Sequence, residues 1–206
     1  MRPLGVLGSK LKIALNMDFT VYPFVDLTNR HTVTLNGATM QTGKALFVNP
    51  LSNDDNHLVL DANRGDFALQ RDFDLSFKFK VIDAKFPFEN IMSFGVDNFV
   101  NTAANGVLGF SYTTDGAVNL SHSTLGYQLS LATTIMVNTG VEATYLLQKR
   151  GSVYTHFING VSAGSATVTT ALPNISTRVL FLGRSAFPGT FGGYHGTLDD
   201  LKLEYL

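Results

Sequence analysis

Between Asp72 and Val81 the chain alternates without interruption. Phe73, Leu75, Phe77, Phe79 and Val81 fall on one face and Asp72, Asp74, Ser76, Lys78 and Lys80 on the other. A period of two is that of a pleated strand, so this stretch predicts a β-strand with one face in a core and one in solvent. Shorter runs of the same kind occur at 10–16, 31–35, 45–48, 57–60, 91–94, 107–112, 118–121, 141–148, 153–158, 161–168, 179–182 and 201–205. Turn formers separate them, among them Asn36-Gly37, Asn105-Gly106, Asp115-Gly116 and Lys149–Ser152. Asn159-Gly160, between two apolar-alternating runs, offers two positions tolerant of positive φ and predicts a tight hairpin. Asp199-Asp200 breaks the alternation between Leu198 and Leu201, which predicts a β-bulge.

No segment carries a convincing helical period. A dozen or so short strands with closely spaced turns predict an all-β chain, a two-sheet antiparallel β-sandwich of jelly-roll form. With 206 residues, 16 Phe and no Trp, its core is expected to be phenylalanine packed between two facing sheets. One domain is expected over residues 17–206. Residues 1–16 read as an N-terminal arm whose Leu11, Ile13 and Leu15 share a face suited to adding a strand to a neighbour. Gly5, Gly8 and Ser9–Lys12 interrupt the opening residues, so no signal peptide is read, and no apolar run reaches membrane-spanning length.

Charge narrows the partners. The formal net charge is -1, which leaves no basic stripe for nucleic acid or for an anionic membrane. Charged residues make up 15% of the chain against roughly 25% in ordinary soluble domains, as expected where part of the surface is covered by neighbours. The absence of cysteine excludes disulfides and thiolate-bound zinc.

Several stretches occur in the order seen in a known family. These are FDLSFKFKV (73–81), the meander from Val141 through Phe157-Ile158-Asn159-Gly160-Val161, VLFLG (179–183) and the closing GTLDDLKL (196–203). Over residues 45–206 the chain resembles concanavalin A-like lectin/glucanase domains of the laminin-G-like type, departing from them in lacking a Trp near Val141. The resemblance implies the jelly roll. It also implies two activities to test, sugar binding and glycoside hydrolysis.

Hydrolysis needs two carboxylates across a cleft. Asp72 and Asp74 share a strand face, but the glucanase branch of the resembling family uses an E-x-D-x-x-E strand, and the three Glu here (Glu89, Glu142, Glu204) are far from both in sequence. The two Asp therefore read as solvated alternates, and no catalytic residue is expected. The five His (His31, His57, His122, His156, His195) have no metal-ligand spacing and read as surface or hydrogen-bonded residues. No cofactor is expected; the oxygen-rich Asn53–Asn56 stretch is the one place the sequence offers for calcium. Sugar binding asks for an aromatic platform beside planar amides. Tyr194 and His195 in the Gly-rich loop, with Asn98 and Asn101 in the 97–101 loop, fit that requirement. Phe86 and Phe88, around Pro87, form an exposed-aromatic candidate which joins Leu11, Ile13 and Leu15 as assembly contacts.

Cysteine-free concanavalin A-like domains low in charge and rich in Thr, Asn and Gly resemble bacteriophage virion proteins. The expectation is thus a non-catalytic virion component, made in the host cytoplasm. Its partners would be other virion proteins or its own copies, together with cell-surface glycan. The alternative is a carbohydrate-binding, lectin-like module; a glycoside hydrolase stands third.

Overall fold

The computed structural model describes residues 12–49, 56–61, 67–96, 107–124, 127–173, 178–184 and 192–206, among which there is no helix. The strands of the N-terminal half are β1 (Lys12–Asp18), β2 (Val25–Asp26), β3 (Thr32–Asn36), β4 (Thr39–Gln41), β5 (Lys44–Phe47), β6 (His57–Asp61), β7 (Phe73–Val81) and β8 (Phe88–Val96). Those that follow are β9 (Val107–Thr113), β10 (Val118–Thr124), β11 (Tyr127–Ala132), β12 (Glu142–Arg150), β13 (Val153–Ile158), β14 (Val161–Thr167), β15 (Arg178–Leu182), β16 (Gly192–Gly193) and β17 (Gly196–Tyr205).

They form two sheets. The first runs β14-β13-β12-β7-β17-β1-β2, with β5 beside β17 and β4 beside β5. The second runs β11-β10-β9-β8-β15-β6-β3, with β16 beside β8. Among the described residues every strand ladder is antiparallel except the short one between β16 and β8. This is the expected two-sheet sandwich. The core follows from the alternation: Phe73, Leu75, Phe77, Phe79 and Val81 of β7 are all buried, while the residues between them are half-exposed. Phe77 meets Phe110 of the facing sheet edge-on at 6.0 Å and stacks on Tyr145 of its own sheet at 5.0 Å, so aromatic rings join the layers.

The local turn readings hold. Asn159 and Gly160 take φ of 51° and 78°, the two left-handed positions of the β13–β14 turn. The register of β17 on β7 shifts between Asp199 and Lys202, where Asp200 has φ 50°, as the interrupted alternation predicts. The pattern does not predict β2, β4, β11 or β16. β16 is two glycines with no side-chain period to read: a Cβ on Gly192 would stand 2.3 Å from the Phe86 ring.

The N-terminal arm is corrected. Residues 12–18 are not spare; Lys12, Ile13, Leu15 and Asn16 pair with Tyr205, Glu204, Leu203 and Lys202 of β17. A bulge between Ile13 and Leu15 turns them to opposite faces, so Leu15 is fully buried while Ile13 remains 42% exposed. Residues 12–16 are thus part of the domain's own sheet and not a free arm. Leu11 lies outside the described residues.

Candidate functional site

On the outer face of the first sheet lies a depression of about 450 Å³ lined by Gln41, Thr42, Lys44, Lys80, Gly140, Glu142 and Thr197. Four stretches of chain build it. Alternation on β7 turns Lys80 outward because Phe79 and Val81 face the core, and register places Lys80 between Glu142 of β12 and Thr197 of β17. The β4–β5 hairpin supplies the far wall, with Gln41 paired to Lys44 around the two-residue turn Thr42-Gly43. The Lys44 ammonium reaches over β17 and β7 to pair with the Glu142 carboxylate. Two ammonium groups, a carboxylate, a primary amide and two hydroxyls thus converge on one trough, a set that donates to and accepts from hydroxyl groups.

One wall is strained. Thr42 and Gly43 have φ of 51° and 73°. Glycine takes that region freely, but a β-branched residue there costs roughly 1–2 kcal/mol. Thr42→Gly is therefore expected to raise the unfolding free energy by about 1 kcal/mol, read as a higher midpoint in urea. No gain would show that the turn carries no stored strain.

The residues picked from the sequence lie elsewhere. Tyr194 is fully buried, its hydroxyl shared between the Lys80 and Thr197 carbonyls at 3.0 Å each, and burial drives that phenol well above its ordinary pKa. It anchors the start of β17 and offers no platform, a correction that follows from a phenol needing an internal acceptor once it leaves water. His195 is half-buried, its backbone N–H donating to Glu89 at 3.4 Å, and burial followed by the Lys85 charge lowers its pKa. Phe86 is half-buried against Gly192, while Phe88 stays 38% exposed at the start of β8.

Asn98, Asn101 and Asn53–Asp55 lie outside the described residues. Asn56 closes a paired hydrogen bond with Asn49, donating to its Oδ1 and accepting from its Nδ2 at 2.9 Å each. Among the described residues no three His, Asp or Glu side chains are grouped to hold a metal ion. Asp72 and Asp74 are half-exposed yet occupied. Asp72 accepts from the Gly151 N–H at 2.7 Å, and Asp74 pairs with Arg150 at 2.6 Å, so both tie the β12–β13 hairpin to the end of β7. His122 and His156 are core residues; of the two alternatives read from the sequence, surface or hydrogen-bonded, His156 takes the second through Tyr145 at 2.7 Å.

The architecture matches solved structures along nearly the whole chain. The fold is concanavalin A-like. Domain 4 of AbnA, an extracellular arabinanase from Geobacillus stearothermophilus solved in complex with arabinotriose, superposes with a TM-score of 0.68 over 95% of this chain and 93% of its own, at 16% identity. The binding domain of botulinum neurotoxin serotype D/C gives a TM-score of 0.70 at 10% identity, over 93% of this chain and 48% of that one. The structure described under the cell entry of botulinum neurotoxin type C by interaction with two ganglioside molecules gives 0.70 at 13% identity, over 93% and 47%. The chain thus spans about half of those toxin domains. No protein-family model and no curated protein sequence matches it.

A second depression, of about 260 Å³, opens in the β1–β3 connection and is lined by Pro23, Phe24, Val25, Asp26, Asn29, His31 and Val33. Its loop is preorganised by Asp26, whose carboxylate accepts from the backbone N–H of Asn16 (3.1 Å), Thr28 (3.0 Å), Arg30 (3.2 Å) and His31 (3.3 Å), and from His31 Nδ1 (2.8 Å). Sequence reading missed both depressions. Lys44, Glu142 and Thr197 are separated by long stretches of chain, and no local pattern links them. Tyr22-Pro23-Phe24 was the one legible signal, an apolar run broken by proline and followed by turn residues.

Proposed function

We propose that this chain is a non-catalytic carbohydrate-binding module and that the outer trough is its glycan site. The observation that carries the reading is the end-to-end match with an arabinanase domain solved in complex with arabinotriose, 95% of one chain on 93% of the other. The chemistry of the trough supports it. A sugar presents hydroxyls that both donate and accept, and the Lys44–Glu142 pair flanked by Gln41, Lys80 and Thr197 offers both roles within one concavity. The virion role expected from composition gains nothing comparable, and the strand meant to serve it is used inside the domain's own sheet.

Titration with arabinotriose, run beside a broad glycan array, tests this. Saturable binding to at least one oligosaccharide is expected. Glu142→Gln should weaken it by about tenfold or more, because a hydrogen bond to a charged group is worth roughly 1.5–3 kcal/mol. A blank array from protein shown to be folded, with no response to arabinotriose, would overturn the reading.

A further inference from the structure

The β1–β3 loop carries an unusual surface. Val21, Tyr22, Val25 and Leu27 are 45%, 55%, 41% and 55% exposed within a span of seven residues. Large apolar groups rarely gather in water without a use. The Tyr22 ring is held edge-on to Phe24, a residue of the depression's wall, at 5.5 Å, and Phe24 in turn to Phe19 at 5.3 Å, so two rings brace the exposed one. Beside it lies the 260 Å³ depression, just under the roughly 300 Å³ at which pockets for drug-sized ligands begin. That volume suits a single ring.

The depression is not purely apolar. Asn29, exposed and in the left-handed region at φ 55°, contributes an amide to its wall. The His31 side chain is wholly buried and bonded through Nδ1 to Asp26, so it fixes the shape of the loop and does not face a ligand. An exposed aromatic ring, apolar walls of Pro23, Val25 and Val33 and the exposed Asn29 together fit a ring that has one C–H face and hydroxyls on its edge.

The loop also adjoins the trough. Thr20 Cγ2 lies 3.9 Å from where a Cβ would stand on Gly43, and Gly43 sits between Thr42 and Lys44, which line the trough. We propose that this depression is a second, single-sugar subsite with Tyr22 as its stacking platform, and that the ligand is therefore an oligosaccharide reaching from the trough to the loop. The proposal rests on the glycan reading of the trough and adds the length and polarity of what is bound.

The chain has no Trp, so Tyr22→Trp places a single indole reporter at the subsite. Mono-, di-, tri- and tetrasaccharides of arabinose, xylose, glucose and galactose, then the hits of the glycan array, are titrated into Tyr22→Trp, Tyr22→Ala, Glu142→Gln and the wild-type chain, each first shown to unfold at the wild-type midpoint. Support would be affinity rising with chain length, indole emission responding to the longer saccharides, and Tyr22→Ala weakening them by about tenfold. Binding unaffected by Tyr22→Ala, with a silent indole but sensitivity to Glu142→Gln, would overturn the subsite and leave the trough reading intact. No saccharide bound by the wild-type chain would overturn both. An indole that responds to phosphatidylcholine vesicles and to no saccharide would mark the loop as a lipid contact and overturn the subsite.

Discussion

Asp26→Ala is expected to lower the unfolding free energy at pH 7 by about 3–5 kcal/mol, measured by urea denaturation. The carboxylate is almost wholly buried and serves four backbone N–H groups, the His31 imidazole and the Thr28 hydroxyl at 2.5 Å. Removing it orphans donors inside a loop that cannot rehydrate them all, which makes the cost large for a connection between strands. Asp26→Asn should be damaging as well, because one carboxylate oxygen becomes an NH₂ set against other donors. Burial alone would raise the Asp26 carboxyl; the bonds from His31, Thr28 and Asn16 outweigh it and hold it well below the carboxylate range. This group therefore stabilises the fold above its unfolded value of 3.8 and loses that contribution only as pH falls through the range below it. A loss under 1 kcal/mol for Asp26→Ala would mean that the loop keeps its shape without the carboxylate.

The second large effect lies at higher pH. His122 and His156 are fully buried, and each is pushed down to about 4 from an ordinary 6.5. Burial is the main cause for both; the charges of Arg178 and Lys149 add to it at His122. Above pH 6.5 neither state binds the proton and the full stability is present. Between 6.5 and about 4 the unfolded chain takes up protons that the folded core refuses, so stability falls as pH falls. Each His accounts for about 3 kcal/mol across that window, and together they rival the 5–15 kcal/mol that holds a typical domain folded. The urea midpoint should drop steadily from pH 7 to pH 4.5, ahead of the Asp26 window. His156→Leu should reduce the slope. A midpoint flat over that range would show that the two imidazoles become protonated without opening the core.

The same two histidines mark the limit of local reading. Nothing around His156 distinguishes a solvated imidazole from one whose Nδ1 shares a 2.7 Å hydrogen bond with the buried Tyr145 hydroxyl, because that partner lies on β12, across the hairpin. Tyr194 fails for a related reason. Its glycine-rich neighbours suggest an open loop, yet the cavity that swallows the ring exists only because Gly196 lacks a Cβ, which would stand 2.5 Å from the Tyr194 hydroxyl. Glu142 reads from the sequence only as a carboxylate remote from Asp72 and Asp74; its partner, Lys44, lies on another strand.

By itself the order of residues determined what depends on neighbours a few positions apart. The β7 alternation decides which face is apolar, Asn159-Gly160 permits two positive φ values, and the break at Asp199-Asp200 places the bulge. From these the all-β class and the sandwich followed, since a strand with one apolar face must bury it against another layer. Only the tertiary structure decided where β1 goes, that Tyr194 is hidden while Tyr22 is exposed, and that Gln41, Lys80, Glu142 and Thr197 meet in one trough. The physical reason is common to all three. Alternation encodes the face of a strand, but strand order, register between distant segments and depth of burial are set by packing between parts of the chain that carry no local record of one another.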